Sequence, residues 1–209
     1  MKRLGDLRRI ALMGLAVILA TPTSAQYVSD AEPFISAVRD RKGDEAMSLL
    51  GSRPTVVNSR NAKGETALNI VISRSDELWT DFLISRGADP NLQDSKGDTP
   101  LIAASRVGFN AAIELLLARG AKVDLANKMG ETPLIIAVQQ RELEAVKLLL
   151  AKGANPDKSD SAAGYSARDY AKRDTRTPQI LAAIEAAATA KTKPAAQATD
   201  LDSFTLKPQ

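Results

Sequence analysis

Apolar positions along the chain come in short paired runs, separated by stretches of polar, turn-forming residues. The run TPLIIAVQQ at 132–140 opens with Thr132, whose hydroxyl suits an N-cap, and Pro133, whose missing N–H is not needed at the first helical position. A short helix is predicted to start there. A second run, LEAVKLLLAKG at 143–153, keeps helical periodicity until Gly153, where a left-handed residue can end a helix; Gly87 and Gly120 are placed alike. Between the helix pairs lie ADPNLQDSKG and ANPDKSDSAAG, dense in Asp, Asn, Ser, Pro and Gly. They predict β-turn or hairpin loops in which Gly64, Gly97 and Gly130 supply positive φ.

The pairs recur. GETAL begins at 64, GDTPL at 97 and GETPL at 130, a step of 33 residues each time. SRGADPN at 85, ARGAKVD at 118 and AKGANPD at 151 keep the same step. Two independent phrases on one period predict a stack of small supersecondary units.

A 33-residue unit of turn, helix, turn and helix that carries G-x-T-P-L and L-L-x-x-G-A resembles the ankyrin repeat. The resemblance covers full units at 61–93, 94–126 and 127–160. At 26–60 lies a degenerate N-terminal unit, where FISAVRDRKGDEAMSLL (34–50) lines up with LIIAVQQRELEAVKLLL (134–150). At 161–188 lies a C-terminal capping unit, in which Thr177 and Pro178 open the last helix. The resemblance implies an all-α solenoid of helix-turn-helix units joined by hairpin loops. The chain departs from the family in two ways. Asn69, Ile102 and Ile135 stand where His is usual after T-P-L, and Ser75 and Arg141 replace the Gly between helices that survives as Gly108. These changes are expected to loosen hydrogen bonding at the turns and to leave the apolar frame intact.

Both ends of the chain read differently. Lys2, Arg3, Arg8 and Arg9 precede an apolar run at 10–20, and Thr23 and Ala25 sit as small residues before a cut. This layout predicts a signal peptide at 1–25, cleaved after Ala25. The leader takes four of 28 basic residues and one of 25 acidic ones, so the mature chain carries 28 − 4 = 24 against 25 − 1 = 24 charges and is formally neutral. The basic excess of the whole sequence therefore belongs to the leader and gives no reason to expect nucleic acid. Cysteine and histidine are absent, which removes disulfides, the thiol nucleophile, the commonest general base and the usual zinc ligands. Residues 189–209 lack apolar periodicity and read as a disordered tail; Phe204 and Leu206 within it have the look of a short docking motif, though a plain disordered terminus is the preferred account.

Few residue clusters suggest chemistry. Asp89, Asn91, Asp94 and Asp98 crowd together without the spacing of a calcium loop, and read as turn residues. Asp76 with Glu77, and Glu142 with Glu144, fall at helix starts, where acids complement the dipole. Trp79 and Phe82 sit at helical spacing and read as core rather than as an interface anchor. No catalytic residue, cofactor or metal is expected.

The resemblance also implies where a partner docks, on the hairpin tips and first-helix surface that line a concave groove. The candidate contacts are Lys63, Glu65, Arg74, Lys96, Asp98, Arg106, Val107, Lys128, Met129, Glu131, Gln139, Gln140 and Tyr165. With Arg86, Arg119, Lys152 and Arg173 added to the cations and Asp174 to the anions, nine positive groups face four negative ones, which points to a protein partner with an acidic surface. The same cations would serve helix C-termini if no partner exists. The expected molecule is an exported, periplasmic, monomeric, non-catalytic protein-binding module, with no nucleic acid and no membrane contact after cleavage. A secreted effector acting on a host protein and, more remotely, an enzyme are the alternatives.

Overall fold

The computed structural model describes residues 24–192, with side chains from 31 to 189. All of the expected leader but Ser24 and Ala25, which open the first helix, and most of the expected tail lie outside the described residues. Ten α-helices follow in pairs: α1 (Ser24–Arg39) and α2 (Gly43–Ser52), α3 (Ala67–Ser73) and α4 (Glu77–Ser85), α5 (Pro100–Val107) and α6 (Asn110–Ala118), α7 (Pro133–Gln140) and α8 (Leu143–Ala151), α9 (Ala167–Arg173) and α10 (Pro178–Thr192). A 3₁₀ turn, Pro54–Asn58, follows α2. Among the described residues, extended pairing is confined to isolated bridges at Arg60–Thr66 and Ser159–Ser166. No described helix is long and apolar enough to cross a membrane.

Each pair is punctuated as the sequence predicts. Thr66, Thr99 and Thr132 accept the N–H of the residue three places on, at 3.1–3.2 Å, and Pro100 and Pro133 occupy first helical positions. Ser166 does the same for α9 in a capping box with Asp169. All four caps are buried, so each hydroxyl satisfies a donor that water cannot reach. The second helices α4, α6 and α8 end on Gly87, Gly120 and Gly153. Each glycine N–H returns to the carbonyl three back, and the next residue's N–H to the carbonyl five back, as in Ala121 to Leu116 O at 2.9 Å.

Two layers result. Helices α1, α3, α5, α7 and α9 pack side by side in one, and the second helices pack in the other. Between them runs one continuous core, in which Leu101, Ile102, Ile113, Leu116, Leu134, Ile135 and Leu149 are fully buried. Polar links on the repeat period stitch units together. Asn58 donates to Gly87 O (2.9 Å) and accepts from Asp89 N (2.7 Å); Asn91 repeats both bonds at Gly120 O (3.0 Å) and Lys122 N (2.8 Å). Asp124, next in the series, accepts from Asn155 N at 3.0 Å.

The substituted positions are absorbed with one loose end, the buried Asn69 Oδ1, which has no hydrogen-bond partner. Ile102 and Ile135 enter the core, and Asn69 donates from Nδ2 to Asp98 O of the next unit at 2.9 Å. Ser75 and Arg141 keep the left-handed backbone of Gly108, with φ of 55° and 62° against 63°. At the ends, α1 begins well before the Phe34 register and passes through Pro33, and α10 continues to Thr192, four residues into the stretch assigned to the tail.

Candidate partner-binding groove

The hairpin tips are built by one device, repeated four times. Asn61, Asp94, Asn127 and Asp160, spaced by 33 residues, each turn a side-chain oxygen onto backbone N–H groups of their own tip. Asn61 Oδ1 receives Lys63 N and Glu65 N (3.1 and 2.9 Å), Asp94 Oδ1 receives Lys96 N and Asp98 N (2.8 and 2.9 Å), and Asn127 Oδ1 receives Met129 N and Glu131 N (both 3.0 Å). Asp160 Oδ1 receives three, from Ala162, Ala163 and Gly164. Burial alone would push the Asp160 carboxyl up, but the Tyr170 hydroxyl, donating at 2.6 Å, and those three N–H groups hold it below the usual range. Asp94, weighed above as a calcium ligand, is thus a turn organiser, and Asp89 accepts Asn91 N at 2.8 Å in the same manner.

Successive tips are tied to one another through the backbone. Ser95 N donates to Gly64 O (2.9 Å), Lys128 N to Lys96 O (3.2 Å) and Ser161 N to Met129 O (2.8 Å). Lys63, Lys96, Lys128 and Met129 therefore stand on a connected row of fingertips, all exposed. Lys128 Nζ also donates to Ser95 O at 2.7 Å. Behind the row, Val107 (38 % exposed) and Gln140 reach solvent at the end of the first helices, while Gln139 is half-buried. Glu65 accepts from Arg39 and Asn61, and Glu131 from Asn127.

Two of the sequence candidates do not face a partner. Asp98, 7 % exposed, receives Arg106 Nη2 (2.7 Å) and Asn127 Nδ2 (2.8 Å), so it joins two units as a buried hub. Arg106, half paired by it, keeps 42 % of its side chain in solvent. Arg74 turns back onto the preceding unit, donating to Arg39 O (2.9 Å) and Val38 O (3.1 Å) and pairing with Asp76 (3.1 Å). It satisfies the open carbonyls at the end of α1 and is a structural bond between units. These roles were hidden because the partners that join units, Val38, Arg39 and Asn127, lie 29 to 36 residues away in sequence.

The charge count shifts with the geometry. Arg86, Arg119 and Lys152 cap α4, α6 and α8 and so belong to the other layer. Arg39, Arg141 and Arg176 join the groove in their place, and Asp94 and Asp160 join its acids. With Arg74 and Asp98 set aside, the balance becomes eight against five, a surplus of 8 − 5 = 3. At the C-terminal end the groove deepens into a cavity of about 340 Å³ lined by Val138, Gln139, Arg141, Tyr170, Arg173, Asp174, Thr175 and Arg176. Arg141 pairs with Asp174 there, and with the Arg176 N–H at 3.0 Å holds that carboxyl at about 2. Arg173 lies 4.6 Å over the Tyr165 ring and donates to its hydroxyl at 2.9 Å, which leaves Tyr165 half-buried at the rim. One signal for the organisers was available, since Asn or Asp recurs at 61, 94, 127 and 160; Arg141 and Arg176 carried none.

Among the described residues no three His, Cys, Asp or Glu side chains are grouped to hold a metal ion. What the surface offers is a rigid row of cations, amides and isolated apolar tips, the chemistry of recognition between macromolecules. The class is a two-layered helical repeat solenoid. Residues 76–160 match the family model described as ankyrin repeats (3 copies), a fold of protein–protein interaction. No curated protein matches the chain.

Proposed function

We propose that this is an exported, periplasmic ankyrin-repeat protein that binds the acidic surface of a protein partner in its concave groove. The observation that carries the reading is the row of tips fixed by backbone bonds, which sets Lys63, Lys96, Lys128 and Met129 in line beside the exposed Val107. A preformed surface of this kind binds with little loss of chain entropy. Export is supported by the basic start, the apolar run at 10–20 and the small residues Thr23 and Ala25.

Crosslinking in intact cells followed by identification of captured proteins supplies the partner. Because Arg74 and Asp98 hold units together, the charge test uses the tips alone: Lys63→Glu, Lys96→Glu and Lys128→Glu combined. Association with the captured protein is expected to slow, and its salt dependence to weaken, since exposed charges steer encounters over about 10 Å at 0.1 M salt. Unchanged association at low salt by the folded triple variant would remove the acidic partner from the reading. Mass spectrometry of the mature protein should find Gln26 first. Recovery of the protein outside the envelope would favour the secreted effector.

A further inference from the structure

The outer layer carries an apolar groove that the partner-binding surface does not use. Between α2 and α4 lies a cavity of about 350 Å³ lined by Arg41, Gly43, Met47, Leu78, Trp79 and Phe82. Leu78 is 79 % exposed and Met47 47 %. The repeat register shows how unusual this is. Trp79 stands where the next two units bury Ala112 and Ala145, while Thr80 fills the core slot of Ile113 and Val146. The indole lies half-buried against Phe82, edge to face at 5.4 Å; both rings pack against the core and leave an edge in the groove, so the reading of Trp79 and Phe82 as core holds in part. Leu78 occupies the solvent position of Ala111 and Glu144, and Met47 that of Asp81, Glu114 and Lys147. Large apolar side chains thus replace small or charged ones side by side along this groove. An exposed cluster of that kind marks an interaction site.

Its charges favour an acidic occupant. Arg86 lies 5.2 Å over the Phe82 ring, with Nη2 3.7 Å from Met47 Sδ, and has no carboxylate partner among the described residues. At the other end Arg41 and Arg74 share Asp76. Glu77 and Asp81 line the opposite cleft, against α6, which leaves Asp44 beside Gly43 to oppose the arginines. The chain itself contains a matching segment at 200–206, DLDSFTL, with apolar Leu201, Phe204 and Leu206 interleaved with Asp200 and Asp202.

We propose that the α2–α4 groove receives residues 200–206 of a second copy of this chain. Its own segment would have to run at nearly full extension to get there, at a large cost in chain entropy. From α10 to α4 is three helix-to-helix steps of about 8–10 Å each. Leu201 follows Thr192 by nine residues, about 30 Å at full extension. A second molecule meets no such limit. The contact joins two different surfaces, so it closes as a reciprocal exchange between two copies or runs on as head-to-tail chains, and association deepens with concentration in place of the monomer expected from sequence.

Trp79 is the single tryptophan of the chain and reports directly on the groove. Adding a synthetic peptide of residues 196–209 to the full mature chain should shift Trp79 emission to the blue and quench it saturably. Phe204→Ala in the peptide, or Leu78→Gln in the protein, should weaken binding by about tenfold. Sedimentation of the full chain should rise with concentration and stop rising in the Phe204→Ala chain, whose change lies outside the described residues. No response to the peptide overturns the proposal. A Trp79 shift between the parent and Phe204→Ala chains that is independent of concentration shows docking within one molecule, and overturns it equally. Failure of both arms leaves the concave groove untouched, because Lys63, Lys96 and Lys128 lie on the other face.

Discussion

Arg141 holds a left-handed backbone at φ 62°, a conformation that costs a side-chain-bearing residue about 1–2 kcal/mol. The guanidinium offsets this cost by reaching Asp174 across the unit boundary. Ser75, at φ 55°, has no comparable ion pair. Ser75→Gly should therefore raise stability to urea by about 0.5–1 kcal/mol, whereas Arg141→Gly should gain less, because it frees Asp174. The Asp174 carboxyl gives a second test. Its pKa falls from 3.8 to about 2 on folding, chiefly through the Arg141 bond. A depressed acid stabilises above its unfolded value and loses that contribution as pH falls through the folded one. The parent should lose stability between about pH 4 and pH 2 more steeply than Asp174→Asn in acid titrations followed by circular dichroism.

At the scale of the element, two glycines separate backbone strain from crowding. Gly120, at φ 87°, ends α6 with open space where a Cβ would lie. Gly130, at φ 77°, would place a Cβ 2.5 Å from Ser161 N, against the next tip. Gly120→Ala should cost about 1 kcal/mol through φ alone. Gly130→Ala should cost clearly more, since it must also part Ser161 N from Met129 O; thermal melts of both variants decide. Elements of this kind were legible because their causes are local: a Thr cap, a Pro after it and a Gly at the end sit within one unit and recur. The Arg74, Asp98 and Asn127 links were not, since each partner lies in another unit and only the stacked geometry shows the pair. The open edge of the half-buried Trp79 escaped for a related reason. Helical spacing says which side of α4 it is on, and only the neighbouring α2, with Gly43 facing it, shows that nothing covers it.

Over the whole molecule, each unit touches only its neighbours, so stability is a sum of local units and the interfaces between them. Amides of α5 and α7, flanked on both sides, should exchange with deuterium most slowly, and those of α1 and α2 faster. Arg74→Met, which removes the bonds to Val38 O and Arg39 O, should speed exchange in that first pair and leave α7 unchanged. The backbone bonds from tip to tip carry one more consequence. Because the same link joins every tip to the next, the surface is graduated like a ruler whose divisions are fixed by the protein's own main chain. Excising 94–126 as a block should close the ruler by one division with its markings intact: the shortened chain would fold, keep Lys63 and Lys128, and lose a partner whose charges are spaced for the longer scale.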